Sequence, residues 1–88
     1  MPYITKEERK EIDRFVEPLI EFLKKVPIEK VDGKVNYVFT KILKNVYTRR
    51  YFDFNRAIGV LACVMLEFYR RIIAPYENEK IKQHGDVK

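Results

Sequence analysis

Residue types that carry catalytic or metal-binding chemistry are scarce in this sequence. Its 88 residues include one cysteine, one histidine and three glycines. A lone Cys63 excludes an internal disulfide, and with His84 as the only histidine the spacing of a zinc site is missing. Gly33, Gly59 and Gly85 are isolated from one another, so no glycine-rich loop cradles a phosphate. The acidic residues alternate with Lys and Arg on predicted polar helix faces. The sequence therefore predicts no metal, no cofactor and no enzymatic activity.

The sequence also has no long hydrophobic run. Met1-Pro2-Tyr3-Ile4 leads directly into a charged stretch over residues 5–11, without the apolar segment of a signal peptide. The uncharged run from Ala57 to Leu66 is about half of the roughly 20 residues that a membrane span needs. Because the only cysteine lies in this apolar run, a reducing, cytoplasmic setting fits best. We predict a cytoplasmic protein with no membrane partner.

The composition is that of a folded domain with a thermophile-like surface. Apolar residues make up 47% of the chain and charged residues 35%, which is far from the signature of disorder. Serine is absent and glutamine occurs once, a bias typical of hyperthermophiles. The net charge of +5 is therefore weak evidence for a nucleic-acid partner. We predict one small domain over residues 1–88, whose core is small enough that oligomerisation or docking would stabilise it.

The stretch Phe54–Ile73 predicts the central helix. No charge occurs between Ala57 and Leu66, so this helix is apolar nearly all round, as a buried helix must be. At helical spacing its core side holds Ile58, Leu61, Ala62, Met65, Phe68, Tyr69 and Ile72. The opposite stripe holds Arg56, Val60, Cys63, Glu67, Arg70 and Arg71 and is apolar only in its middle. Either another part of the chain or a second subunit must cover that middle, so the candidate interface residues are Val60, Cys63 and Val64.

A first helix is predicted from Thr5, which forms a capping-box pattern with Glu8. Its apolar residues hold one phase across Pro18, so we expect a single helix that kinks there and ends at Pro27. The apolar arc consists of Ile12, Phe15, Val16, Leu19, Ile20, Phe22, Leu23 and Val26.

Residues 28–39 are ambiguous between a helix and a hairpin. Asp32-Gly33 is a hairpin signal, and Val35, Tyr37 and Phe39 alternate as a strand would. The apolar phase over residues 35–46 lasts longer, which favours a helix after a connection over Pro27–Lys34, with Asp32 as its N-cap.

The remaining residues predict a link and a last short helix. Residues 48–52 have no helical phase and link to the central helix, with Asp53 as its N-cap. Pro75 marks a boundary or kink, and residues 76–82 form a short helix that ends at Gly85. The predicted fold is therefore all-α: a compact bundle of three main helices plus a short C-terminal helix, with the central helix at about 54–73.

Basic residues beside tyrosines are the remaining functional signal. An up-down-up arrangement of three helices brings the lysines at the end of the first helix, and those just after it, to the same end as Arg70 and Arg71. Arginine and tyrosine there can grip phosphates or stack on bases. This candidate nucleic-acid or partner contact consists of Lys24, Lys25, Lys30, Lys34, Tyr69, Arg70, Arg71 and Tyr76.

The chain resembles a small family of uncharacterised archaeal and phage-derived or metagenomic proteins over almost its whole length. The resemblance rests on Met1-Pro2-Tyr3-Ile4, Asn36-Tyr37-Val38 with Thr40, Glu67-Phe68-Tyr69-Arg70-Arg71, Ala74-Pro75-Tyr76-Glu77 and Gly85-Asp86-Val87. It implies a single small domain and carries no activity, cofactor or partner with it.

Three functional hypotheses follow from the sequence. The leading one is a non-enzymatic helical module that self-associates or docks to another protein, because the core is small and the middle of the central helix needs a cover. The alternative is a small basic nucleic-acid-binding protein. The third is a small enzyme with a pocket near Asp53, Glu67 and Tyr69.

Overall fold

Three helices build most of the chain. The computed structural model describes residues 4–86, of which 87% are helical. The described residues contain no strand, which confirms the all-α class and a helix for the ambiguous residues 28–39. The helices are α1 (Lys6–Lys24), α2 (Ile28–Val46) and α3 (Tyr51–Phe68), and α3 continues through a π-helical segment (Tyr69–Ile73) into the short C-terminal helix α4 (Ala74–His84).

The predicted capping box opens α1. The Thr5 hydroxyl accepts from the backbone N–H of Glu8 at 3.1 Å, and the Thr5 N–H donates to Glu8 Oε1 at 3.0 Å. The backbone N–H of Thr5 first, and then the Thr5 side chain, hold the pKa of the Glu8 carboxyl below its ordinary value. The helix then runs through Pro18 as one element and ends at Lys24, shortly before Pro27. Local hydrogen bonding thus defines the start of α1 as predicted.

Thr5→Ala is expected to cost about 1 kcal/mol of helix stability, because the backbone N–H of Glu8 loses the hydroxyl that accepts from it. The pKa of Glu8 should rise only part of the way toward its ordinary value, since the variant loses the smaller effect of the Thr5 side chain and keeps the larger effect of the backbone N–H at residue 5. A lowered folded pKa means that the contribution of Glu8 is present above the ordinary glutamate pKa and is lost as pH falls through the lowered one. An NMR titration of the Glu8 side chain in both proteins measures the shift; an unchanged pKa would contradict this role for Thr5.

The second helix begins earlier than predicted. α2 starts at Ile28, so the expected connection over Pro27–Lys34 and the N-cap at Asp32 are wrong. The Pro27 carbonyl accepts from the N–H groups of Lys30 and Val31 at 2.9 and 3.1 Å, which forms the first turn directly after the proline. Proline suits this place because the N–H that it lacks would have no helical acceptor.

The third helix also begins earlier than predicted. Arg50 precedes its first turn without a side-chain cap, and Asp53 lies inside that turn, so Asp53 is not the N-cap. The Asp53 carboxylate instead accepts from the Thr48 hydroxyl and pairs with Arg56 at 3.8 Å. A negative charge inside the first turn of a helix interacts favourably with the helix dipole. The predicted central helix at about 54–73 is thus α3 from Tyr51 to Phe68 plus the π-helical segment.

The chain divides into two compact units, Met1–Ile42 and Leu43–Lys88. In the first unit the half-buried side chains come from α1, from α2 and from the short connection between them: Leu19, Leu23, Val26, Val31, Val35 and Val38. Two shallow grooves there are lined by residues of both helices, and Leu23 lines both. In the second unit α3 carries Ala57, the one buried residue among residues 4–86. The single domain over 1–88 stays a prediction.

The expectation that Phe54–Ile73 is buried is wrong for the single chain. Of its predicted core side, Ile58, Met65, Phe68 and Ile72 are each more than half exposed. An apolar helix of this kind is normally surrounded by protein. The apolar pattern of α3 therefore exceeds what the single chain covers.

The predicted C-terminal stop is confirmed at Gly85. Its φ of +88° is a conformation that glycine adopts readily, and its N–H donates to the Ile81 carbonyl at 2.8 Å. Val87, the last residue of the C-terminal element of the resemblance, lies outside the described residues, as do Lys88, Met1, Pro2 and Tyr3.

Candidate interaction surface

The surface of α3 is apolar on several sides at once. Val60 and Val64, two of the candidate interface residues, are 45% and 49% exposed. At about 100° per residue, Phe54 and Met65 lie on a different side of the helix, and Leu66 lies on a third. These three side chains are more than half exposed. No single apolar neighbour can cover all of these sides.

One stripe of α3 carries charged side chains at both ends and apolar side chains in its middle. We call this stripe the α3 seam; it extends into the π-helical segment and consists of Asp53, Arg56, Val60, Cys63, Glu67 and Arg70. Its members are spaced alternately three and four residues apart, so they share one face of the helix. Cys63, like Val60, is exposed. The predicted stripe with polar ends and an apolar middle is thus present and open.

Ion pairs occupy both ends of the α3 seam. At one end Arg56 lies 3.8 Å from Asp53. At the other end Glu67 receives hydrogen bonds from Arg70 and Arg71, each at 2.7 Å. The side chain of Glu67 is only 27% exposed, whereas both arginines remain mostly exposed. Ion pairs at a helix surface contribute little to stability. These pairs therefore matter more for the charge pattern of the surface than for the stability of the fold.

The π-helical segment follows from Pro75. Proline has no N–H to donate to the carbonyl four residues earlier, and its ring clashes with that carbonyl. The helix widens instead, and the Ala74 N–H donates to the carbonyl of Tyr69, five residues earlier. The predicted boundary at Pro75 is therefore a local widening of a continuous helix.

The widened turn aligns Tyr69 with Glu77. The Tyr69 hydroxyl donates to Glu77 Oε1 at 3.1 Å. In a regular α-helix two residues eight positions apart are about 80° out of line, and one extra residue in a turn corrects this. The hydrogen bond to Glu77, and then its negative charge, raise the pKa of Tyr69 above the ordinary value. Glu77 thus restrains one of the predicted contact residues.

Two more of the predicted contact residues have contacts along their own helices. Lys24 pairs with Glu21 at 3.5 Å, and the Lys80 ammonium lies 5.4 Å from the centre of the Tyr76 ring. Lys34 lines one of the apolar grooves, while Lys25 and Lys30 are exposed. The four lysines belong to Met1–Ile42, whereas Tyr69, Arg70, Arg71 and Tyr76 belong to Leu43–Lys88. That all eight residues form one footprint stays a prediction.

The described part of the chain contains neither a metal-binding cluster nor a helix that could span a membrane. Among residues 4–86, no three His, Cys, Asp or Glu side chains are grouped so that they could hold a metal ion. None of the helices there combines the length and the apolar character that crossing a membrane requires. The predicted lack of enzymatic activity stays a prediction.

A model of the domain of unknown function DUF6899 matches residues 1–87, which is almost the whole chain. The chain belongs to this family. The search of curated proteins found no match to this DUF6899 chain, and neither did the search of solved structures. The resemblance to an uncharacterised family is confirmed, while its archaeal and phage origin stays a prediction.

Two features of the DUF6899 surface are not among the predictions from the sequence. Asp53 lies three residues from Arg56, a spacing that repeats that of Glu67 and Arg70, and it is not an N-cap. Glu77 accepts from Tyr69, and that bond depends on the widened turn. The first feature was available from spacing alone, but the second required the backbone.

Proposed function

We propose that this DUF6899 chain is a non-enzymatic helical module that acts by self-association through α3. The observation that carries the proposal is the exposure of apolar side chains on several sides of this one helix. In a bundle of three helices each helix contacts two others and keeps a side open to solvent. A helix that is apolar nearly all round therefore calls for a further neighbour.

The energetics of burial support this proposal. Val60, Val64, Phe54, Met65 and Leu66 are each about half exposed, so covering one side chain gains about 1 kcal/mol. One two-fold interface covers a single side of α3, and Val60 and Val64, which share a side, are then each buried twice, which gives roughly 4 kcal/mol. Association costs about 4–15 kcal/mol in lost translational and rotational freedom. The gain reaches only the lower end of this cost, so association should depend visibly on concentration.

The nucleic-acid alternative receives less support from the contacts. Glu67 binds both Arg70 and Arg71, and Glu77 binds Tyr69, so carboxylates already occupy the groups that would grip a phosphate or stack on a base. A nucleic acid would have to displace these carboxylates. The charge of +5 remains the main argument for this alternative.

Sedimentation equilibrium across a wide concentration range, at low and high salt, tests the proposed function. We expect the mass to rise from 10.6 kDa to a defined multiple, and the transition to persist at high salt because apolar burial drives it. A mass of 10.6 kDa at every concentration would overturn the proposal.

Anisotropy titrations of labelled single- and double-stranded nucleic acid provide the competing measurement. Binding that weakens steeply with salt, with no self-association, would favour the alternative, because phosphate contacts release counterions. The cytoplasmic setting, with Cys63 kept reduced, belongs to the same proposal and stays a prediction.

A further inference from the structure

We propose that the α3 seam binds the α3 seam of a second copy of this chain in antiparallel orientation. The two-fold axis would pass between Leu61 and Ala62. This inference rests on the proposed function and specifies its partner, its surface and its orientation.

The spacing of the α3 seam is that of a helix-pairing surface. Intervals of three and four residues alternate from Asp53 to Arg70, which is the a/d spacing of a heptad repeat. Such a stripe faces a partner helix along its whole length. The two apolar members, Val60 and Cys63, lie at its centre, where a helix pair excludes water best.

The order of charges is complementary to its own reversal. From residue 53 to residue 70 the α3 seam runs acidic, basic, apolar, apolar, acidic, basic. An antiparallel second copy places Arg56 opposite Glu67 of the other chain, Asp53 opposite Arg70, and Val60 opposite Cys63. Every charge then faces one of opposite sign, and the apolar pair is repeated across the axis.

A parallel arrangement would have the opposite effect. Each residue of the α3 seam would face its own equivalent, so Arg56 would meet Arg56 and Glu67 would meet Glu67. Like charges at these positions are destabilising, which selects the antiparallel pair. The charge pattern thus points to a second copy of the same chain, since an unrelated helix has no reason to match it.

The proposed pairs can form only between chains. Arg56 and Glu67 are eleven residues apart in one helix, a separation of about 16 Å along the axis. Within one chain Arg56 pairs with Asp53, and Glu67 pairs with Arg70. In the dimer these local pairs would join into networks of four charges at each end of the α3 seam. If changing residues 56 and 67 together restores self-association that either change alone weakens, the restored affinity must therefore come from contact with the second copy.

Charge reversal gives a direct test by sedimentation equilibrium. Arg56→Glu alone and Glu67→Arg alone each create two like-charge contacts per dimer, so each should weaken self-association about tenfold or more. The double variant restores opposite charges and should return close to the wild-type affinity. An equimolar mixture of the two single variants should also associate, because both of its cross-pairs are attractive.

The controls separate this inference from the proposed function. Glu79→Arg makes the same change of charge on exposed α4 outside the α3 seam and should leave association unchanged. Circular dichroism reports whether each variant keeps its helices. A wild-type protein that stays monomeric overturns the proposed function itself. Wild-type association that the single reversals do not weaken, or that neither the double variant nor the mixture recovers, overturns the antiparallel seam and leaves self-association standing.

Discussion

Val60→Glu is expected to leave the chain monomeric at concentrations where the wild type self-associates. Val60 lies at the centre of the α3 seam, and in the proposed two-fold dimer the new carboxylate would lie in the interface twice. An ionised carboxylate enclosed there without a partner costs several kcal/mol, of the order of 3–5 kcal/mol. The dissociation constant should therefore rise by about a hundredfold or more. Sedimentation equilibrium of both proteins measures this change.

The same substitution should be harmless within the single chain. Val60 is 45% exposed, and glutamate has a higher helix propensity than valine, so α3 should keep its helical content. Val46→Glu is a matched control, because this valine is 67% exposed at the end of α2 and lies outside the α3 seam. We expect the control to self-associate like the wild type. Val60→Glu protein that remains helical and associates with unchanged affinity would contradict a role for this face.

The parts of the fold that depend on neighbouring residues could be predicted from the sequence. The capping box at Thr5, the continuity of α1 through Pro18 and the stop at Gly85 each involve groups within a few positions of one another. The predictions of an N-cap at Asp32 and at Asp53 were wrong for different reasons. An acidic residue is favoured both at the N-cap and within the first turn, where Asp53 lies, so residue type alone does not give the position. Asp32 lies beyond the first turn of α2, which forms directly after Pro27.

Burial could not be predicted in the same way, because it depends on which surfaces meet. The uncharged run from Ala57 to Leu66 correctly indicates a helix that needs apolar neighbours. It does not state whether those neighbours belong to the same chain. In the single chain only Ala57 is buried among the described residues, so the run identifies the helix but not what covers it.

The π-helical segment is a further case in which the sequence indicates a place but not its geometry. A proline after a long helix predicts a boundary, a kink or an end, since each relieves the clash of its ring. Widening the preceding turn relieves the same clash and keeps the helix continuous. The widened turn also affects α4, because its extra residue changes the direction in which Glu77 points.

Pro75→Ala is expected to convert the π-helical segment to regular α-helix. Alanine supplies the missing N–H and removes the ring, so the extra residue in the turn loses its cause. Glu77 would then rotate away from Tyr69 by about 80° and their hydrogen bond would break. The pKa of Tyr69, which Glu77 raises, should fall back toward the ordinary tyrosine value of about 10. An NMR titration of ring-labelled tyrosine, assigned with Tyr69→Phe, measures this pKa.

A second variant separates the geometry from the charge. Glu77→Ala removes the carboxylate but leaves Pro75 and the widened turn, so it should lower the pKa of Tyr69 as well. Amide exchange distinguishes the two proteins, because only Pro75→Ala should protect residues 74–76 as a regular helix would. The replacement should also raise the unfolding temperature, since a proline inside a helix costs about 3 kcal/mol relative to alanine. If the pKa of Tyr69 in Pro75→Ala equals that of the wild type, the turn keeps its width without proline, and the cause must lie in the contacts between Glu67, Arg70 and Arg71.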